Sequence, residues 1–397
     1  MYGIKGILIL VIVLSFLACK RTDNLALIET MIKGKTMYTI DPLIIKDSIT
    51  LKLTDLLDDI RLVRLEKTDE ALIDYIMRCY VGERYIICTT VSNGILMFSP
   101  EGKFIRHIAK NGRGPGEISD PNAGIWVDER NDRLYVRDEY YHGKGFVCFN
   151  LKDSQFKKIP LLADDSIRDI FVMDDSIIYI TTMPMMGKES DIPLICQTTS
   201  GRLLWKMKMK NSNGATNSTI TTLNDQIYFN YLWGGDTLYK LIDKELVPFI
   251  SIKNSGQLYI NRPYKIGDVF LGFSFLTNNL FQGRYMEITD LNSRGERRDP
   301  DPVWGNRHNF LFYLREKKVL SMKETEDNYL GAEKPPYYQL QNNGVALFNY
   351  TPLDIAKIAK SVSENPKVPE DIRKRITDLN NSIDESDNPV LLIGKIK

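Results

Sequence analysis

Apolar and polar residues alternate in short runs along most of the chain, and Gly, Pro, Asn, Asp and Ser separate the runs. Alternation at a period of two marks strands, and this polar punctuation marks tight turns. The predicted strands come in sets of four. The first set is Tyr75–Val81, Tyr85–Thr90, Ile95–Phe98 and Phe104–Ile108. The second is Ala123–Val127, Arg133–Val136, Gly145–Asn150 and Phe156–Ile159. A third covers Asp169–Met173, Ile177–Thr182, Pro193–Thr198 and Leu203–Met209. A fourth covers Ser218–Leu223, Gln226–Tyr231, Thr237–Leu241 and Leu246–Ile252. A fifth covers Val269–Phe275, Arg284–Asp290, Asn309–Tyr313 and Lys318–Met322.

The hairpin between third and fourth strands repeats in sequence. FSPEGKFIRHI from Phe98 matches FNLKDSQFKKI from Phe149, and CQTTSGRLLW from Cys196 continues the series. The spacing, about 40 to 50 residues, is that of propeller blades. A four-stranded sheet of this size cannot bury its own faces, whereas fanning such sheets around an axis covers both.

Both ends of the chain carry further elements. Met37–Ile45 and Ile60–Leu65 predict strands near the front, and Tyr337–Leu340 and Val345–Tyr350 predict strands near the end. Pro352–Ser363 and Pro369–Leu379 predict helices: Thr351 precedes Pro352 as a cap, and Ile355, Ile358 and Val362 recur at helical spacing. Val390 to Ile396 predicts a last strand. The economical arrangement is a sixth blade shared by the N-terminal strands and the C-terminal strand, with the helices (about 352–380) inserted in it.

One stretch carries a resemblance. Gly112-Arg113-Gly114-Pro115-Gly116-Glu117, Asp120-Pro121-Asn122, Val127-Asp128 and Leu134 to Asp138 resemble an NHL-type repeat. The whole chain resembles the six-bladed β-propeller lipoproteins of Bacteroidetes-type bacteria. The match is clear in the second blade, weaker in the third and fourth, and topological beyond. It implies an all-β fold: a six-bladed β-propeller closed by N- and C-terminal strands, with a short helical insertion in the last blade. The glycines at 112–116 suit a crossing between blades, which needs positive φ and a Pro-fixed bend. A phosphate cradle is disfavoured, because no helix follows and the Walker lysine is absent.

The N-terminus reads as a signal peptide, residues 1–18, with an apolar run from Ile7 to Ala18 that is too short to span a bilayer. It ends in Phe16-Leu17-Ala18-Cys19, which looks like a lipobox with Phe16 in place of the usual Leu. Lipidation at Cys19 follows, with ordinary cleavage near Ala18 or an uncleaved anchor as alternatives. Residues 19–36 are expected to form a lipid-anchored tether and 37–397 the propeller. The expected address is that of an exported outer-membrane lipoprotein, on either the periplasmic or the surface side.

Export permits disulfides. Cys79 and Cys88 flank a turn at Glu83-Arg84 and are expected opposite each other on paired strands, either bridged or as two buried thiols. Lys and Arg number 52 against 51 Asp and Glu, with no dense basic cluster, which argues against nucleic acid. The 20 Tyr and 16 Phe favour strands.

Catalytic patterns are missing from the sequence. His107, His142 and His308 are far apart with no metal-ligand spacing, and there is no G-x-S-x-G elbow. Glu117, Asp120, Asp128 and Asp138 offer a carboxylate pair, but Asp128 and Asp138 sit where NHL-type repeats use Asp at strand ends, which implies turn capping instead; Asp299, Asp301 and the acidic run at Asp384 lack calcium-loop spacing. No metal and no cofactor is expected.

Binding is the better reading. Propellers present the loops joining second to third strands, and the crossings between blades, on one rim. Those segments are 138–144, 182–192, 232–236, 277–283 and 111–121. The candidate residues are Arg113, Tyr140, Tyr141, His142, Trp233 and Asn278 in these segments, together with Arg168 and Arg284. Aromatics with a polar tip, together with Arg, suit glycans, peptides or proteins. The expected function is a binding or assembly module at the cell envelope, including a sensor or scaffold role in nutrient uptake. The alternative is a propeller enzyme, lyase or lactonase-like, with its site in the central channel.

Overall fold

A computed structural model of the chain describes residues 26–397 apart from 121, 123, 139–144, 161–165, 174–175, 184–193, 208–217, 224–225, 232–236, 254–265, 267–268, 278, 293–300, 337 and 342. Four strands and one short helix precede the first blade: β1 (Leu27–Ile32), β2 (Lys35–Ile40), β3 (Ser48–Lys52), α1 (Leu53–Leu56) and β4 (Leu57–Arg64). Blade one is β5 (Ile76–Val81), β6 (Ile86–Thr90), β7 (Gly94–Phe98) and β8 (Phe104–Ala109). Blade two is β9 (Ile125–Asp128), β10 (Arg133–Asp138), β11 (Gly145–Asn150) and β12 (Phe156–Pro160). Blade three is β13 (Ser166–Met173), β14 (Ile177–Met183), β15 (Leu194–Thr198) and β16 (Leu203–Met207). Blade four is β17 (Ser218–Leu223), β18 (Gln226–Tyr231), β19 (Thr237–Ile242) and β20 (Glu245–Ile252). Blade five is β21 (Val269–Leu276), β22 (Leu280–Asn292), β24 (His308–Tyr313) and β25 (Lys318–Glu326), with β23 (Asp301–Trp304) beside β22. Blade six is β26 (Tyr338–Leu340), β27 (Val345–Tyr350) and β28 (Val390–Ile396), with β4 as its outer strand.

The cores lie between blades rather than inside them, and strand alternation is the reason. On β6, Ile86 and Cys88 join the cluster shared with blade six, while Ile87 faces blade two. On β10, Leu134 and Val136 face blade one while Tyr135 faces blade three. On β28, Val390 and Leu392 face blade five while Leu391 and Ile393 face blade one. Six clusters fill the six interfaces and so close the ring. This is why β6 and β7 are buried at all their positions: a strand covered on both faces reads as a continuous apolar run.

Ring closure uses both chain ends, as the resemblance implies. β28 pairs antiparallel with β27 on one side and with β4 on the other. The innermost strands of blades six and one are also laced by side-chain amides. Gln339 Oε1 accepts from Cys79 N (3.3 Å), Gln341 Oε1 accepts from Val81 N (3.0 Å), and Gln341 Nε2 donates to the Cys79 carbonyl (2.9 Å). Asn343 Nδ2 donates to the Val81 carbonyl (2.8 Å). Amides at every second residue thus supply partners to the free backbone edge of β5, which a buried strand requires.

The remaining N-terminal strands depart from the expectation. Residues 35–40 do not join blade six: β2 pairs parallel with β20 on the outer edge of blade four, and β1 pairs antiparallel with β2. Residues 27–36, expected in the tether, therefore form most of a hairpin on that edge. The strand expected to run to Ile45 stops at Ile40, because Asp41 caps a short 3-10 turn over Pro42–Ile44. β3 pairs parallel with β25 on the outer edge of blade five.

Core truncation at the closing seam tests this architecture. Leu391→Ala, at a fully buried site between blades six and one, is expected to cost about 2–5 kcal/mol. Leu353→Ala, on the exposed side of the helical insertion, stays within about 0.5 kcal/mol. Urea unfolding measures both.

Candidate functional site

Antiparallel order inside each blade puts the second-to-third-strand loops, and the crossings between blades, on one face of the ring. Around blade one this face is well defined. The crossing from β4 to β5 (65–75), the turn from β6 to β7 (91–93) and the crossing from β8 to β9 (110–124) lie side by side. Hydrogen bonds lace them together. Val91 N donates to the Tyr75 carbonyl (3.3 Å), Asn93 Nδ2 to the Leu72 carbonyl (2.5 Å), and Asn111 Nδ2 to the Val91 carbonyl (2.5 Å). His107 Nε2 lies 2.7 Å from the Glu70 carbonyl. Burial pushes the Asp74 carboxyl up, but hydrogen bonds from the Ser92 hydroxyl and from the Tyr75 and Ser92 amides outweigh this and hold it below the usual carboxylate range.

The lacing holds three large apolar side chains in water. Leu72 is 48% exposed, Tyr75 60% and Val91 45%. Contiguous exposed apolar surface can mark an interaction site. Sequence reading missed all three. Tyr75 was assigned to the first strand of blade one, whereas β5 starts at Ile76. Its position just outside a strand, in a crossing, was the available signal.

The Gly-rich crossing, tied to the patch through Asn111, carries an exposed cation. Gly112 N donates to the Ile118 carbonyl (2.9 Å), Ile118 N to the Lys110 carbonyl (2.9 Å), and Gly114 N to Glu117 Oε2 (2.6 Å). A Cβ on Gly112 would meet the Glu117 carboxylate at 1.9 Å, so the loop curls around its own acid. Gly116 has φ +78° over the Phe156 ring. The backbone donor that a phosphate would need is taken by Glu117, and Arg113 is left exposed at the tip.

The helical insertion rises on the same face, as a replacement for the loop between β27 and β28. It consists of α2 (Pro352–Glu364) and α3 (Glu370–Asn381). A capping box starts α2: Asp354 N donates to Thr351 Oγ1 (3.2 Å), and Thr351 N donates to Asp354 Oδ2 (3.0 Å). Ile355, Val362, Ile376 and Leu379 are buried in the core between blades five and six. Asn388, 2% exposed, fixes the end of the insertion to the patch. Its Nδ2 donates to the carbonyls of Glu66 (2.9 Å) and Ala71 (2.6 Å), and its Oδ1 accepts from Ile73 N (2.8 Å).

A buried acid anchors the other side of the insertion. Asp327, 1% exposed, begins the crossing from β25 to β26. Its Oδ1 accepts from Tyr329 N (3.0 Å) and Leu330 N (2.9 Å), and its Oδ2 accepts from the Tyr350 hydroxyl (2.7 Å). Next to it, Asn328 exchanges hydrogen bonds with Thr54 of α1. Arg375 of α3 donates to the Tyr329 carbonyl (2.6 Å) and lies over the Tyr329 ring. Burial raises the Asp327 carboxyl, and the three donors offset this only in part.

The residues expected on the rim meet different outcomes. Arg113 is exposed on the laced face. Arg168 lies on β13, the innermost strand of blade three, at a register irregularity between Ile167 and Asp169. Segment 277–283 is not a rim loop. Thr277 N donates to the Leu280 carbonyl (2.7 Å) in the turn between the first two strands of blade five, which lies on the opposite face. Arg284 is exposed within β22, opposite Gly272 and Asn309. Tyr140, Tyr141, His142, Trp233, Asn278 and Cys19 lie outside the described residues. Among the acids, Asp120 Oδ1 accepts from Asn122 N (2.8 Å) and Asp128 Oδ1 from Asn131 N (3.3 Å), so both stabilise turns. Among the described residues no group of His, Cys, Asp and Glu is arranged to hold a metal, and no helix is long and apolar enough to cross a membrane.

Comparison with known proteins agrees on the fold. Residues 37–395 match the family described as "Domain of unknown function (DUF4934)". No curated protein matches the chain. The crystal structure of a candidate exported protein of Bacteroides fragilis is similar at 14% identity and TM-score 0.61, covering 89% of this chain and 99% of that one. A member of the DUF4221 family from Bacteroides vulgatus is similar at 10% identity and TM-score 0.41, covering 86% and 98%. An oligogalacturonate lyase in complex with manganese is similar at 10% identity and TM-score 0.36, covering 80% and 76%. The last two scores are too low to carry an argument, and the first shows the fold alone.

The raised carboxyl of Asp327 gives a signed pH effect. Folding tightens its proton, so its contribution is full below the unfolded-state value of about 3.9 and is lost as pH rises through the higher native value. Asp327→Asn retains an acceptor for Tyr329 and Leu330 and does not titrate. Thermal melting of both proteins across the acid range is expected to show wild type losing stability relative to the variant as pH rises.

Proposed function

The chain belongs to the DUF4934 family, and we propose that it is an exported binding module held at the cell envelope, with its ligand on the laced face over blade one. The carrying observation is the row of exposed Leu72, Tyr75 and Val91 on a hydrogen-bonded frame, with Arg113 on the crossing tied to it through Asn111. A tyrosine offers apolar area at little entropic cost and a hydroxyl for recognition, and an arginine adds a charge-assisted donor. Together they suit a glycan, a peptide or a protein loop that presents an apolar face next to an acidic or carbonyl-rich one. Lipidation at Cys19, after removal of residues 1–18, would tether the ring to the outer membrane. Tyr140, Tyr141, His142, Arg168 and Trp233 remain candidates to extend the surface.

Glycan and peptide arrays with the protein lacking residues before Lys20, followed by titration of the best binder, test this reading. Tyr75→Ala combined with Arg113→Ala is expected to weaken binding at least tenfold, a typical loss for a central aromatic anchor, with the melting temperature unchanged. Equal affinity of variant and parent moves the site off this face.

A further inference from the structure

The register of blade one assigns a second chemical site. Cys79 on β5 stands directly opposite Cys88 on β6, with their sulfurs 3.0 Å apart and both side chains buried. In an antiparallel ladder, opposed residues alternate between wide pairs that exchange hydrogen bonds and close pairs that do not. The seam with blade six decides which kind this is. Cys79 donates its N–H to Gln339 and accepts from Gln341 at its carbonyl, so both backbone groups point away from β6. The two cysteines are therefore a close, non-hydrogen-bonded pair. Such pairs hold Cα atoms about 4.5 Å apart, at the near end of the range a disulfide spans. Across the ladder from the other described cysteines stand residues of other types: Tyr135 and Lys157 opposite Cys148, and Tyr179 and Trp205 opposite Cys196.

We propose that Cys79 and Cys88 are a disulfide site, closed by exchange with a disulfide oxidant of the glutathione or dithiol-oxidoreductase class. One thiolate attacks the oxidant's S–S bond and releases one thiol. The other then attacks the mixed disulfide and releases the second. Two electrons and two protons leave the pair, and the oxidant's bond is reduced to two thiols. In the finished ring the sulfurs are covered and burial holds the Cys79 thiol protonated, so exchange belongs to the stage before blade six packs against blade one. The hairpin is local, with the two cysteines nine positions apart in sequence, and pairs before the ring closes. The bond would then fix the register of β5, the strand whose free edge receives the closing amides. The proposal does not depend on the binding role of the laced face.

The full chain, reduced and unfolded, is refolded with reduced and oxidised glutathione. It is then alkylated in denaturant, digested with trypsin and mapped by mass. Cleavage after Arg84 separates the two cysteines, so only sulfur can join their peptides. The expected result is a joined pair, lighter than its parts by two hydrogen atoms and free of label, with Cys148 and Cys196 fully labelled. Reduction before alkylation must release and label both. Labelling of Cys79 and Cys88 to the same extent as Cys148, a retained glutathione adduct, or a bond from either to another cysteine overturns the proposal.

Discussion

Each blade is a sheet with two apolar faces and no partner within itself, and this constraint governs the molecule. A residue on one side of a strand belongs to one core, and its neighbour in sequence belongs to the next. Ile86 and Ile87 are adjacent in the chain yet pack in different clusters. Stability is thus shared around the ring, and an unclosed ring leaves two apolar sheet faces in water. Closure by β28 between β27 and β4, and by Gln339, Gln341 and Asn343 against β5, removes that exposure and satisfies the remaining backbone edge together.

The candidate surface is held by hydrogen bonds between its segments. These are two crossings and the β6–β7 turn, and they are bonded to one another through Asn93, Asn111 and the Val91 amide. Short loops cannot bury their polar backbone, so side chains such as Asn93, Asn111 and Asn388 supply the missing partners. Leu72, Tyr75 and Val91 point outward on a frame already fixed by these bonds. A surface ordered before binding loses less conformational entropy on binding.

Much of this architecture is legible in the sequence because its signals are local. The strands of blade one, the helix pair with its Thr351 cap and the last strand all follow alternation, periodicity or capping. The outer strands β1 and β3 do not. They pack by one edge against β2 and β25, and their burial is shallow, so no alternating pattern is imposed on residues such as Glu29 and Thr30. The site was read less well. Assigning 277–283 to the rim placed the blade-five turn one connection too late, which inverts its face. Leu72, Tyr75 and Val91 look like ordinary core residues, and only the geometry of a crossing and of the β6–β7 turn leaves them exposed. Arg113 was legible because glycine and proline around it announced a loop.

The N-terminal segment lies along the outer edges of three successive blades: β1 and β2 on four, β3 on five and β4 in six. Ala26, where the described residues begin, therefore sits at the periphery of blade four. In a ring of six, blade four stands diametrically across from blade one. The strands that complete the outer edges of three blades thus also fix where the described chain enters the ring, on the side opposite the blade-one crossing that carries Tyr75.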